Sequence, residues 1–292
     1  MDKFIESINE NINIQEVVNK RLKELLSKDY QSKRKIKDEA NKSIEGFFKP
    51  DEVISVFDCY GYKFDDSELY VNLIKTILDL KKKNPEQDVK NLMLSAVKTV
   101  VTNYYDANKT NYEKYIDKLY SLFNDNKEMQ KKWKLQLDFA KDCAIKQGLS
   151  GNQILEQVEL QAREWYAPFL EIAGKSPSIK KIKGLGLAKC VEYAALTNQL
   201  LNFLGVKSIY VVNSLVDETG NEGHAYNIRE GSNAPVLIDY LNNISIKLND
   251  EKQAERIANG EEAIYDRKNN VCYGSSMLAL KTFRENNLKV DS

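Results

Sequence analysis

Histidine is almost missing from this chain: one residue in 292, His224. The four cysteines, Cys59, Cys143, Cys190 and Cys272, stand far apart, and none forms a Cys-x-x-Cys pair. A zinc site of mixed cysteine and histidine ligands is therefore disfavoured. So few cysteines do not make a disulfide framework, which points to a reducing compartment. Net charge is also missing, since Lys+Arg 43 balance Asp+Glu 43. There is no bulk electrostatic drive toward nucleic acid or an anionic membrane, so neither is expected as a partner. No apolar run approaches the roughly 20 residues of a membrane span. The opening residues, Met1-Asp2-Lys3-Phe4-Ile5-Glu6-Ser7, show no basic region followed by an apolar one. A cytoplasmic protein is expected, although non-classical export as an effector would leave no mark of this kind. Glycine and proline are scarce, 13 and 5 residues, a bias typical of AT-rich bacterial genomes.

What is present in quantity is helical periodicity. Ile5, Ile8 and Ile12 fall on one helical face, and Ile14, Val18, Leu22 and Leu25 on a second. Ser27 to Lys42 is charged and poor in large apolar residues, which predicts a linker or an exposed helix. Pro50 suits a first helical turn. Ser67 is positioned to cap a helix carrying Leu69, Leu73, Ile77 and Leu80 that stops before Asn84-Pro85. Val89, Met93, Val97, Val101 and Tyr104 predict another, as do Tyr112, Tyr115, Leu119 and Leu122. Met129, Trp133, Leu137, Ala140 and Ala144 make a further stripe, with Gly148 as its stop. These segments predict a helical domain over 1–148, which would bind substrate or regulate.

After Leu149-Ser150-Gly151 the pattern changes. One more helix carries Ile154, Val158, Ala162 and Trp165, and glycines follow at Gly174, Gly184 and Gly186. Cys190 to Phe203 reads as a helix stopped by Gly205. Val206 to Val212 is rich in β-branched residues and reads as a strand. Asp217 to Gly223 reads as a polar turn region. His224 to Arg229 alternates, Gly231-Ser232-Asn233 reads as a hairpin connection, and Val236 to Tyr240 is a third strand. A helix followed by three strands predicts an α+β domain with an antiparallel sheet over 149–292.

Three residues on these elements have the types and order of a thiol catalyst. Cys190 heads a helix, His224 opens a strand, and Asp239 ends the next strand. A free thiol ionises near about 8.5, and a helix N-terminus or an adjacent imidazolium lowers that value. The unpaired N–H groups at the start of the helix could also serve an oxyanion. His224 would take the thiol proton and return it to a leaving amine, while Asp239 would fix the imidazole tautomer. A hairpin between the second and third strands would bring His224 and Asp239 together.

Cys190-Val191-Glu192-Tyr193-Ala194, Gly223-His224-Ala225-Tyr226-Asn227 and Leu237-Ile238-Asp239 together resemble the transglutaminase-like superfamily, over about Gly184 to Asn243. Glu192, Tyr193 and Ala194 fit its first motif. Tyr226 stands where tryptophan is commoner, and Tyr240-Leu241 where proline and threonine often follow the aspartate. The resemblance implies a papain-like catalytic domain and thiol acyl transfer on a protein or peptide, with Cys190, His224 and Asp239 as the triad and no cofactor. It is compatible with a cysteine protease or a glutamine deamidase. The alternatives are transglutaminase transfer to an amine, or an inactive binding module of the same fold. No loop has the acidic spacing of a calcium site.

The remaining polar and aromatic residues have simpler expectations. Glu192 suits the positive end of the helix macrodipole. Tyr193 and Tyr226 either line a cleft or pack. Cys59, Cys143 and Cys272 have no second histidine to activate them and are expected to be structural, while Trp133 and Trp165 are expected in the core. Gln147 and Gln153 qualify as a second oxyanion donor by residue type alone.

Overall fold

The computed structural model describes residues 13–27, 64, 66–105, 127–151 and 190–287, with isolated positions between 153 and 188. The chain divides into two compact units. One comprises Met1–Cys59, Ser67–Tyr104 and Lys189–Ser292, and the other Tyr60–Asp66 and Tyr105–Ala188. Cys59, Gly184, Gly186 and the stripes expected at Ile5–Ile12 and Tyr112–Leu122 lie outside the described residues.

Three helices of the first unit follow the apolar stripes: α1 (Ile14–Ser27), α2 (Ser67–Lys83) and α3 (Val89–Tyr104). Lys81, Lys82 and Lys83 close α2, where cations complement the macrodipole, and the chain turns at Asn84-Pro85. Asp88 begins α3 by accepting from the Asn91 backbone N–H at 3.2 Å. Leu73, Ile74, Ile77, Ala96, Val97 and Val101 form the buried faces of the α2–α3 pair. In the second unit, α4 (Lys127–Lys146) ends at Gly148, whose φ of 80° and the Leu149 N–H bond to the Ala144 carbonyl make a Schellman-type stop.

The helix α5 (Cys190–Phe203) is buried around most of its circumference, polar Glu192, Thr197, Asn198 and Gln199 included, and packs on α3 and on the sheet. Phe203 meets Tyr70 at 4.7 Å between ring centroids, and Gln199 donates to the Tyr70 hydroxyl at 3.1 Å. Gly205, with φ 80°, ends the helix as expected, and the chain enters the sheet.

Six strands make one antiparallel sheet: β1 (Ser208–Asp217), β2 (Gly220–Arg229), β3 (Val236–Asp239), β4 (Ile244–Lys247), β5 (Ile264–Asp266) and β6 (Val271–Gly274). Their spatial order is β4-β3-β2-β1-β6-β5, and every pairing is antiparallel. The architecture is α+β. The expected turn region at Asp217–Gly223 is instead mostly strand. Leu215 and Val216 carry β1 on to Asp217, and Asn221 to Gly223 pair with Val216 to Ser214, leaving only Glu218 and Thr219 to turn. Asp217 accepts from the backbone N–H groups of Thr219 and Gly220, which closes that turn.

One sheet face carries Val211, Leu215, Tyr226, Ile228, Leu237 and Tyr273 against Ala254 and Ile257 of the helix α6 (Glu251–Ala258). Asp250 caps α6, accepting from the Gln253 N–H at 2.7 Å. A smaller cluster joins Val216 and Cys272 to Ala279 of α7 (Ser276–Asn287). Burial of one side chain such as Ile228 contributes about 2 kcal/mol, so both layers are needed to fix the sheet.

Candidate active site

The sheet register sets the site. Asn227 pairs with Ile238 and Ile228 with Leu237, so one step further Asp239 lies opposite Tyr226. His224 is two residues from Tyr226 on the same strand and therefore on the same face. His224 and Asp239 are thus diagonal neighbours across the hairpin, close enough for their side chains to meet. The bond they make is short: His224 Nε2 to Asp239 Oδ2, 2.7 Å, with both residues buried.

The bond to Asp239 leaves the other imidazole nitrogen, Nδ1, available. Cys190 is half-buried at the first residue of α5, a helix that packs on the strand of His224, and is near enough to the imidazole to favour its charged form. Of the three residues expected from sequence, His224 and Asp239 are directly bonded, and Cys190 lies near enough to influence the imidazole. Glu222 Oε1 also lies 3.8 Å from Nδ1, but its side chain is 70% exposed, so water screens its effect.

Burial is the strongest influence on His224, and it disfavours the imidazolium. The hydrogen bond and charge of Asp239, together with Cys190, outweigh burial and push the imidazole up to about 9. Burial alone would raise Asp239. Its contacts with His224, Asn242 and Tyr273 reverse that and hold the carboxyl below its ordinary value of 3.8.

Two residues that complete the site were not expected. Tyr273 on β6 donates its hydroxyl to Asp239 Oδ2 at 2.9 Å. Asn242 donates its side-chain amide to Oδ2 at 2.9 Å and its backbone N–H to Oδ1 at 3.2 Å. Asn242 follows Asp239 by three residues, the spacing of a carboxylate that accepts from its own turn, so a local signal did exist. Tyr273 has none, because its place depends on the β1–β6 pairing.

The other residues singled out fall as follows. Tyr226 is fully buried and packs edge-on to Tyr273 at 5.2 Å, so it is core and not cleft lining. Burial pushes Tyr240 up to about 12. Glu192 is in the first turn of α5 and is buried. Cys272 is fully buried, and burial pushes its thiol up to about 12, as fits a structural residue. Gln147 and Gln153 are exposed residues of the second compact unit. Among the described residues no cluster of three or more His, Cys, Asp or Glu could hold a metal ion, and no helix is long and apolar enough to cross a membrane.

Compared with known proteins, the chain matches no family model, no curated protein and no solved structure.

Proposed function

We propose that the chain is a thiol-dependent enzyme acting on amide bonds in proteins or peptides, with Cys190 as nucleophile, His224 as proton carrier and Asp239 as its orienter. The observation that carries this reading is the short buried bond to Asp239 from the only imidazole of the chain, His224, whose strand packs against the helix that Cys190 heads. A buried carboxylate on Nε2 fixes the ring so that Nδ1 is the nitrogen that exchanges a proton with sulfur. The α+β architecture, with Cys190 heading a helix that packs on an antiparallel sheet, agrees with a transglutaminase-like domain.

In this reading Nδ1 of His224 already carries the proton at neutral pH, and the Cys190 sulfur attacks the substrate carbonyl carbon as the thiolate. The negative charge that develops on oxygen faces the unpaired N–H groups at the start of α5. The carbon–nitrogen bond then breaks, the departing nitrogen takes the proton from Nδ1, and a thioester remains. Water gives a proton to Nδ1, attacks the thioester and releases the acid, leaving sulfur again as the thiolate. Water is the favoured acceptor, which makes the enzyme a protease or deamidase. A primary amine in its place would make it a transglutaminase.

Alkylation by iodoacetamide at neutral pH, read residue by residue by mass spectrometry, tests the pair. Cys190 is expected to label at least tenfold faster than Cys143 and Cys272, and His224→Ala is expected to abolish that advantage, since an activated thiol outruns ordinary ones by about that much or more. Labelling of Cys190 at the rate of an ordinary exposed thiol, unchanged by the substitution, would sink the proposal.

A further inference from the structure

Tyr273 is buried, and its ring reaches across the sheet face. Leu215 of β1 pairs with Tyr273 on one side and Glu222 on the other, while Asn213 pairs with His224. Tyr273 and His224 therefore share a face, with β1 between their strands. The Tyr273 ring packs edge-on to Tyr226 at 5.2 Å and lies 6.1 Å from the imidazole. Its hydroxyl ends on Asp239 Oδ2, the oxygen that holds His224 Nε2.

We infer that Tyr273 is a positioning residue for the proposed thiol site: its hydroxyl holds the Asp239 carboxylate ionised and aimed at His224. The inference deepens the reading of Cys190, His224 and Asp239 and rests on it. Burial first, and the adjacent Asp239 charge second, raise Tyr273 far above the ordinary phenol range, so it stays protonated and donates to the carboxylate. A fixed donor beside a buried carboxylate favours the anion over the acid. It also limits the rotation by which Oδ2 could turn from Nε2. Asn242 supplies a second donor to the same oxygen, but from an exposed turn where water can replace it. Tyr273 has no such substitute, because its hydroxyl lies in the packed face.

The single histidine makes the test direct. In protein labelled with 15N-histidine there is one imidazole to observe. His224 keeps its proton well above neutrality, so an inflection of its signals in the acid range reports protonation of Asp239 instead. Tyr273→Phe keeps the ring and removes the donor. The acid inflection is expected to move up by about one pH unit, the worth of one charge-assisted hydrogen bond. The acid limb of Cys190 alkylation should move with it. Asn242→Ala is expected to move the inflection by less. Should Tyr273→Phe not fold, 3-fluorotyrosine placed at position 273 keeps the shape and strengthens the donor, so the inflection should move down. An inflection that stays in place with the substitution made would overturn the inference, because a ring that only packs leaves it unmoved. Slow labelling of Cys190 in the unsubstituted protein would overturn the thiol-enzyme reading alone, since the imidazole signals do not depend on sulfur reactivity.

Discussion

Asp239 is the residue on which the site turns. An ionised carboxylate offers about four acceptor positions. Here four donors reach it: His224 Nε2, the Tyr273 hydroxyl and the Asn242 side-chain amide at Oδ2, and the Asn242 backbone N–H at Oδ1. A buried charge is tolerated only when it is paired and hydrogen-bonded in this way. Asp239→Asn removes the charge and puts an amide where every partner wants an acceptor. The imidazolium then loses its counterion but keeps its burial penalty. In the substituted protein His224 is expected to titrate at or below the free imidazole value of about 6.5, down from about 9. Cys190 alkylation at neutral pH should fall at least about tenfold, because the proton acceptor is mis-oriented and less basic. A 15N titration of the lone imidazole reads the first effect and mass spectrometry the second. A titration midpoint still near 9 would mean that Asp239 is not what raises it.

At the scale of the element, the site depends on two kinds of pairing, and they were not equally legible. The β2–β3 hairpin is local: Gly231-Ser232-Asn233 marks its connection, and the period-two alternation puts His224 and Asp239 on one face once the register is set. Cys190 at a helix start is local too, since Gly205 and the apolar run after Cys190 delimit α5. Tyr273 is different. β6 is only four residues long, and its partner β1 lies far away in sequence with β2 to β5 and α6 between. Nothing near Tyr273 says which strand it will join. The polar residues Asn221 and Glu222 misled in the opposite direction, because β2 begins as an exposed ladder whose composition resembles a loop.

Gly274 fixes how closely β6 approaches the chain entering β5. It has φ 154°, and a Cβ there would stand 2.8 Å from the Ala263 Cβ and 2.9 Å from the Glu262 carbonyl oxygen. Both neighbours are tied to short elements with little room to give. Gly274→Ala is therefore expected to destabilise the protein by about 1–3 kcal/mol, the usual cost of overpacking. Tyr273 is the adjacent residue, so the acid inflection of His224 should move in the direction expected for Tyr273→Phe. Urea unfolding measures the first effect. A midpoint equal to that of the unsubstituted protein would mean that the approach of β6 to Ala263 is slack.

For the whole molecule, the buried pair couples stability to pH. An imidazole that titrates at about 9 in the folded chain and near about 6.5 in the unfolded chain holds its proton more tightly when folded. Below the unfolded value both states are protonated and the stabilisation is fully present. It is lost as pH rises through 9. Asp239, held below its ordinary 3.8, acts in the other sense: its contribution is present above that value and is lost as pH falls through the depressed one. The pair therefore favours the fold most across the weakly acidic to neutral range and releases it on the alkaline side through His224. His224→Gln has no proton to lose, so subtracting its stability from that of the parent isolates this effect from every other titrating group. Urea unfolding at pH 6 and pH 10 should show the gap between the two proteins narrowing by at most about 3 kcal/mol. A gap that stays constant across that range would mean that His224 is held neutral in the fold, and burial would then have prevailed over Asp239 and Cys190.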